Sequence, residues 1–128
     1  MKDETREWLE LAESDLQAAG VMFEEELWRH CIFQCQQALE KLLKGIWVER
    51  SAEGYPPREH NLTLLAQKAG VELTREQLDF FDDLSKQYMP TRYADVAIDS
   101  SVEYSRDQAE NYHQRTLREF EWLRQLLS

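Results

Sequence analysis

Residues 27–50, LWRHCIFQCQQALEKLLKGIWVER, constrain this chain more than any other stretch. Apolar side chains at Trp28, Cys31, Ile32, Cys35, Ala38, Leu39, Leu42 and Ile46 step by three and four. That spacing puts them on one helical face. Phe33, Leu43 and Trp47 widen the face well beyond a narrow stripe. A helix this apolar must be covered by several neighbours. Its polar residues, Gln34, Gln36, Gln37, Glu40, Lys41 and Lys44, gather into one compact strip.

The covering elements are also helical. Over residues 5–25, Leu9, Ala12, Leu16, Ala19 and Phe23 repeat at helical spacing, flanked by Trp8. Gly20 weakens that helix or admits a close neighbour. The acidic triplet Glu24-Glu25-Glu26 is expected to turn the chain into the central helix. Ser51 to Pro57 reads as a loop, because paired prolines cannot continue a helix. A short helix is expected over 61–69, with Asn61 as N-cap and Gly70 just past its end. Thr74-Arg75-Glu76-Gln77 is a capping box opening a fourth helix. Leu78, Phe81, Leu84 and Tyr88 follow at helical spacing, and Pro90 is expected to end it. Residues 91–104 lack a sustained period and are expected to form a long loop containing the apolar patch Val96-Ala97-Ile98. Such loops often carry function. The last helix is expected over 105–126, with Ala109, Tyr112, Thr116, Phe120, Leu123 and Leu127 inward.

No strand pattern and no internal repeat is visible. The expectation is an all-α, up-and-down helical bundle of about five helices, four long and one short. Its 128 residues suit a single domain over 1–128. No apolar run approaches membrane-spanning length and no signal-peptide pattern opens the chain, so a cytoplasmic location is expected. Cys31 and Cys35 read as reduced core thiols. A metal site joining them to His30 lacks a fourth ligand at suitable spacing.

The formal charge is −10, with nine acidic and two basic side chains in residues 1–26 alone. An acidic chain is a poor electrostatic partner for nucleic acid. Four constellations hold chemistry. The first is the strip of Gln37, Glu40, Lys41 and Lys44. It reads either as an exposed face with the pairs Gln37–Lys41 and Glu40–Lys44, or as a ligand-facing strip with lysines for phosphate. The second is Arg92 between Tyr88 and Tyr93, an anion-binding or base-stacking group, or else a tether to nearby acidic residues. His60 is the third: an acid–base group without an evident nucleophile, or a loop anchor. Arg106 and His113, two turns apart on one helical face, are the fourth. They suit a phosphodiester, or are ordinary residues of an amphipathic helix.

Phe33-Gln34-Cys35-Gln36-Gln37-Ala38-Leu39-Glu40-Lys41-Leu42-Leu43-Lys44 resembles the signature helix of HEPN domains (higher eukaryotes and prokaryotes nucleotide-binding). Ser14-Asp15-Leu16, Glu59-His60-Asn61-Leu62 and Thr91-Arg92-Tyr93-Ala94-Asp95 follow in the expected order. The resemblance implies a bundle of about five helices that commonly dimerises. It also implies pairing with a minimal nucleotidyltransferase, often in a toxin–antitoxin-like system. Family members that are metal-independent ribonucleases carry an Arg and a His with four to six residues between them, before the final helix. Arg92 stands at the Arg place, but the window after it reads Ala97, Ile98, Asp99. Arg106 and His113 keep the spacing, yet fall inside the expected final helix. The resemblance therefore implies a non-enzymatic binding module, a homodimer with a nucleotidyltransferase partner, no cofactor, and a nucleotide as candidate ligand. The ligand-binding candidates are Gln37, Glu40, Lys41, Lys44, His60, Arg92 and Tyr93. The alternative is a toxin-like ribonuclease using Arg106 and His113.

Overall fold

The computed structural model describes residues 1–52, 54–92 and 103–128. These are all-helical: α1 (Asp3–Glu24), α2 (Trp28–Arg50), α3 (Leu62–Lys68), α4 (Arg75–Lys86), α5 (Tyr88–Arg92) and α6 (Arg106–Gln125). The five expected helices are present, and α5 is a single extra turn. No described helix is long and apolar enough to cross a membrane.

α2 is the hub, in contact with α1, α3, α4, α5 and α6. Cys31, Ile32, Cys35, Ala38, Leu39, Leu42, Leu43 and Ile46 are fully buried on it. Burying each Leu or Ile contributes roughly 1.5–3 kcal/mol. α1 and α2 share the most extensive helix contact. The approach is tight at Gly45, where an added Cβ would lie 3.1 Å from Trp8 Cβ. The turn between them runs through Glu26, at φ 63°. There Leu27 N donates to Met22 O and Glu26 N to Phe23 O, closing the last turn of α1 on itself. Glu24 ends α1, and Glu25 and Glu26 make the turn that the acidic triplet was expected to form.

Local chemistry sets the other boundaries. Asn61 accepts from Leu64 N and caps α3. Gly70, at φ 71°, follows its C-cap, with Val71 N donating to Ala66 O. Thr74 and Gln77 form the anticipated capping box of α4. Ser105 and Gln108 form another at the start of α6, where negative and capping groups are favoured.

The expected end of the fourth helix is corrected. α4 stops at Lys86, capped by Gln87, and Pro90 lies inside α5 rather than after a helix. Pro90 falls in the first turn of α5, where an N–H has no intrahelical acceptor to lose. Thr91 N and Thr91 Oγ1 both donate to Gln87 O, at 3.0 and 2.6 Å, and hold the turn closed. Thr91 and Arg92, expected at the start of a long loop, are therefore helical. The patch Val96-Ala97-Ile98 and Tyr93 lie outside the described residues.

Candidate functional site: a buried carboxylate on the central helix

Glu40 is 4 % exposed although it belongs to the polar strip of α2. A carboxylate removed from water must be matched by donors. Here the match comes from α2 itself and from the loop before α3. Lys44 Nζ donates to Glu40 Oε2 at 3.0 Å. Gln36 Nε2 donates to Oε1 at 3.1 Å, and His60 Nδ1 donates to the same oxygen at 2.9 Å. Gln36 Nε2 also reaches His60 O at 2.8 Å, which ties the loop before α3 to α2. Gln36 is itself fully buried.

Because a carboxylate only accepts, the hydrogen of a neutral His60 ring belongs on Nδ1. Nε2 then accepts from Tyr88 O–H, at a long 3.3 Å. The rings of His60 and Tyr88 are stacked with centroids 4.2 Å apart and 15° between planes. That stack, more than the long hydrogen bond, sets the imidazole orientation. Arg92 Nη1 donates in turn to the Tyr88 hydroxyl, and its guanidinium lies 5.4 Å from the ring centroid. Tyr88 is buried, the His60 side chain is 49 % exposed, and Arg92 is exposed. The result is a graded cluster, with a buried anion at its base and an imidazole and a guanidinium at its open side.

Glu40, Lys44, His60 and Arg92 are thus brought together among the sequence candidates. Lys41 is not. It pairs with Asp15 of α1 at 2.6 Å and holds the α1–α2 hairpin. Nor does Gln37 pair with Lys41; it donates to Gln36 Oε1 at 2.6 Å and more weakly to Glu40 Oε1 at 3.5 Å. Of the two i,i+4 pairs expected on the strip, only Glu40–Lys44 forms. Expecting a solvated strip fails because α3 and α5 cover part of it. Glu59 is a loop residue too: its carboxylate accepts from the backbone N–H of His60 and Asn61.

Sequence reasoning left Tyr88 and Gln36 off the candidate list. Tyr88 read as the last inner residue of a helix, and Gln36 as one more polar residue of a strip. The signal was spacing: each stands four residues before a candidate, Arg92 and Glu40.

Arg106 and His113 do lie together, but on a ring. Arg106 packs 5.4 Å from the Phe23 centroid and 5.9 Å from that of Trp28. His113 stacks on Phe23 at 5.8 Å, and Gly20 faces its ring, as an added Cβ there would meet Nε2 at 3.8 Å. Burial lowers the His113 pKa, and Glu24 opposes that shift. Both residues have a packing role at the α1–α6 contact.

Cys31 and Cys35 are fully buried. A hydrogen bond between them, together with burial, pushes the Cys35 thiol well above its ordinary range, so it stays protonated. His30 is exposed and contacts Arg29. Among the described residues no group of three or more His, Cys, Asp or Glu could hold a metal ion.

Comparison with known proteins gives a consistent result. The sequence profile of the HEPN domain matches residues 5–126. TT1696 from Thermus thermophilus, of known crystal structure, superposes with a TM-score of 0.82 at 25% identity. The match covers 97% of this chain and 98% of that one. An archaeal HEPN homologue of known crystal structure superposes with a TM-score of 0.75 at 26% identity, over 100% of both chains. No curated protein matches by sequence.

Proposed function

The chain belongs to the HEPN domain family, and from that premise we propose that it is a binding and interaction module rather than an enzyme. In this reading it is a homodimer, pairs with a minimal nucleotidyltransferase, and takes a nucleotide at the cluster around Glu40. The observation that carries the ligand site is one buried carboxylate met by Lys44 and Gln36 of α2 and by His60 of the loop before α3, with Tyr88 of α5 stacked on that imidazole. An ordinary surface helix does not sink a glutamate to 4 % exposure and surround it with donors from its own turns and from a neighbouring loop. The arrangement fixes His60 and leaves it half exposed beside Arg92, whose planar fork suits a phosphate. Lys44 neutralises Glu40, so the buried anion does not repel an anionic ligand at close range.

Light scattering on the purified chain tests the homodimer, and co-purification with a minimal nucleotidyltransferase encoded beside it tests the pairing. A strictly monomeric chain that retains no such partner contradicts both.

The ribonuclease alternative has a formal basis in the spacing of Arg106 and His113. Their packing on Phe23 counts against it. Wild type and His113→Ala are expected to be alike in leaving a single-stranded RNA intact. Cleavage by wild type that His113→Ala abolishes would establish the alternative.

A further inference from the structure

A second cleft lies between the start of α1 and the loop that follows α2, with a volume of about 680 Å³. It shares no lining residue with the Glu40 cluster. Trp8, Leu11, Tyr55 and Pro56 supply its apolar wall, and Glu4 and Glu7 stand among them. Tyr55 is 94 % exposed and Leu11 half exposed. Single exposed apolar residues are common and need no explanation. A tyrosine, a leucine and a tryptophan lining one cleft form the kind of patch that marks an interaction surface.

Charge narrows the occupant. Lys2 is the one lysine or arginine among the described lining residues. Its ammonium is already committed to Val48 O at 2.9 Å and Ser51 O at 2.6 Å, near the C-terminal end of α2. Glu4 and Glu7 are exposed, and residues 1–26 hold nine acidic against two basic side chains. Lys44 Nζ lies 5.9 Å from the Trp8 centroid and helps fix that ring. The cleft thus offers water a held tryptophan beside two exposed carboxylates.

We propose that this cleft docks a segment of another protein that presents an apolar side chain between lysines or arginines. Such a segment buries its apolar residue against Trp8, Leu11 and Tyr55, while its cations meet Glu4 and Glu7. The same field repels nucleic acid and anionic lipid. A second copy of this chain fits poorly, because a two-fold contact would set each acidic rim against its own image. The inference extends the interaction-module reading by naming a surface and the chemistry of its partner. It requires neither the nucleotide nor the nucleotidyltransferase.

Calorimetric titration of the full chain with two capped hexapeptides tests it: Lys-Lys-Leu-Phe-Lys-Lys and Lys-Lys-Ser-Ser-Lys-Lys. The first is expected to bind about tenfold tighter or better than the second, on the scale of one buried aromatic anchor. Tyr55→Ser, and Glu4→Gln with Glu7→Gln, are each expected to weaken it about tenfold. These residues are exposed, so unchanged circular dichroism is expected in both variants. Equal affinity for the two peptides would reduce the cleft to bulk charge and overturn the proposal, as would no binding or indifference to the variants. A wild-type dimer that Tyr55→Ser dissociates would make a second copy the occupant and overturn it equally. A nucleotide-induced thermal shift on the same samples keeps the two readings separate.

Discussion

Glu40 shows why one side chain can serve as both structure and site. Its oxygens accept from Lys44, Gln36 and His60, and it is almost wholly removed from water. Truncation leaves a largely buried ammonium and two amide or imidazole donors without their acceptor. Glu40→Ala is therefore expected to lose about 3 kcal/mol, the lower end for breaking a buried pair from one side. Glu40→Gln keeps the shape and an acceptor oxygen and is expected to lose less. Urea denaturation of both variants checks the order; an Ala variant as stable as wild type would mean the network contributes nothing. His113 gives a pH signature. Burial holds its folded pKa below the ordinary 6.5, so the unfolded chain takes the proton first as pH falls. The stability that depends on neutral His113 is present above about pH 6.5 and declines below it. His113→Gln is expected to flatten the fall in stability between pH 7.5 and pH 5.5; a parallel fall in both proteins would contradict that role.

Between helices, two glycines of similar appearance part company. An added Cβ at Gly45 would lie 3.1 Å from Trp8 Cβ, an atom fixed to the α1 backbone. The helix-propensity gain of alanine, about 1 kcal/mol, is set against overpacking of about 1–3 kcal/mol at the most extensive helix contact. Gly45→Ala is expected to be destabilising. At Gly20 the nearest atom is His113 Nε2 at 3.8 Å, ordinary contact, so Gly20→Ala is expected to stabilise by about 0.5–1 kcal/mol. Thermal melts of the two variants should move in opposite directions; shifts of the same sign would show that the helix spacing at one site is misjudged. Helix identity and most caps were legible in the chain because they depend on near neighbours: Asn61, Gly70 and Thr74-Gln77 act within four residues of themselves. The break between α4 and α5 was not, because Pro90 reads as a stop wherever it stands, while Thr91 and Gln87 close the extra turn by bonds that spacing alone does not announce. The strip on α2 was legible as a strip. Which of its members would be sunk was not, since that depends on where α3 and α5 come to rest. Gln36 and Glu40 became core, Lys41 became a brace to Asp15, and Gln34, Gln37 and Lys44 are partly buried.

Across the whole molecule, two surface regions carry distinct chemistry. One region collects a buried carboxylate, a half-exposed imidazole and a guanidinium around α2 and α5; the other is an acidic aromatic cleft where α1 begins. The family supplies the fold and its members' tendency to pair, while the residues around Glu40 supply the chemistry proposed for the ligand. That cluster is tested most directly by thermal-shift titration of wild type and Arg92→Ala with millimolar ATP and GTP. Ligand that binds only the folded chain must raise its stability, by about 2.7 kcal/mol at a hundredfold excess over Kd. The melting temperature of wild type is expected to rise with at least one of the two nucleotides, and the rise is expected to be lost in Arg92→Ala. No rise in wild type, or a rise undiminished in Arg92→Ala, would contradict it.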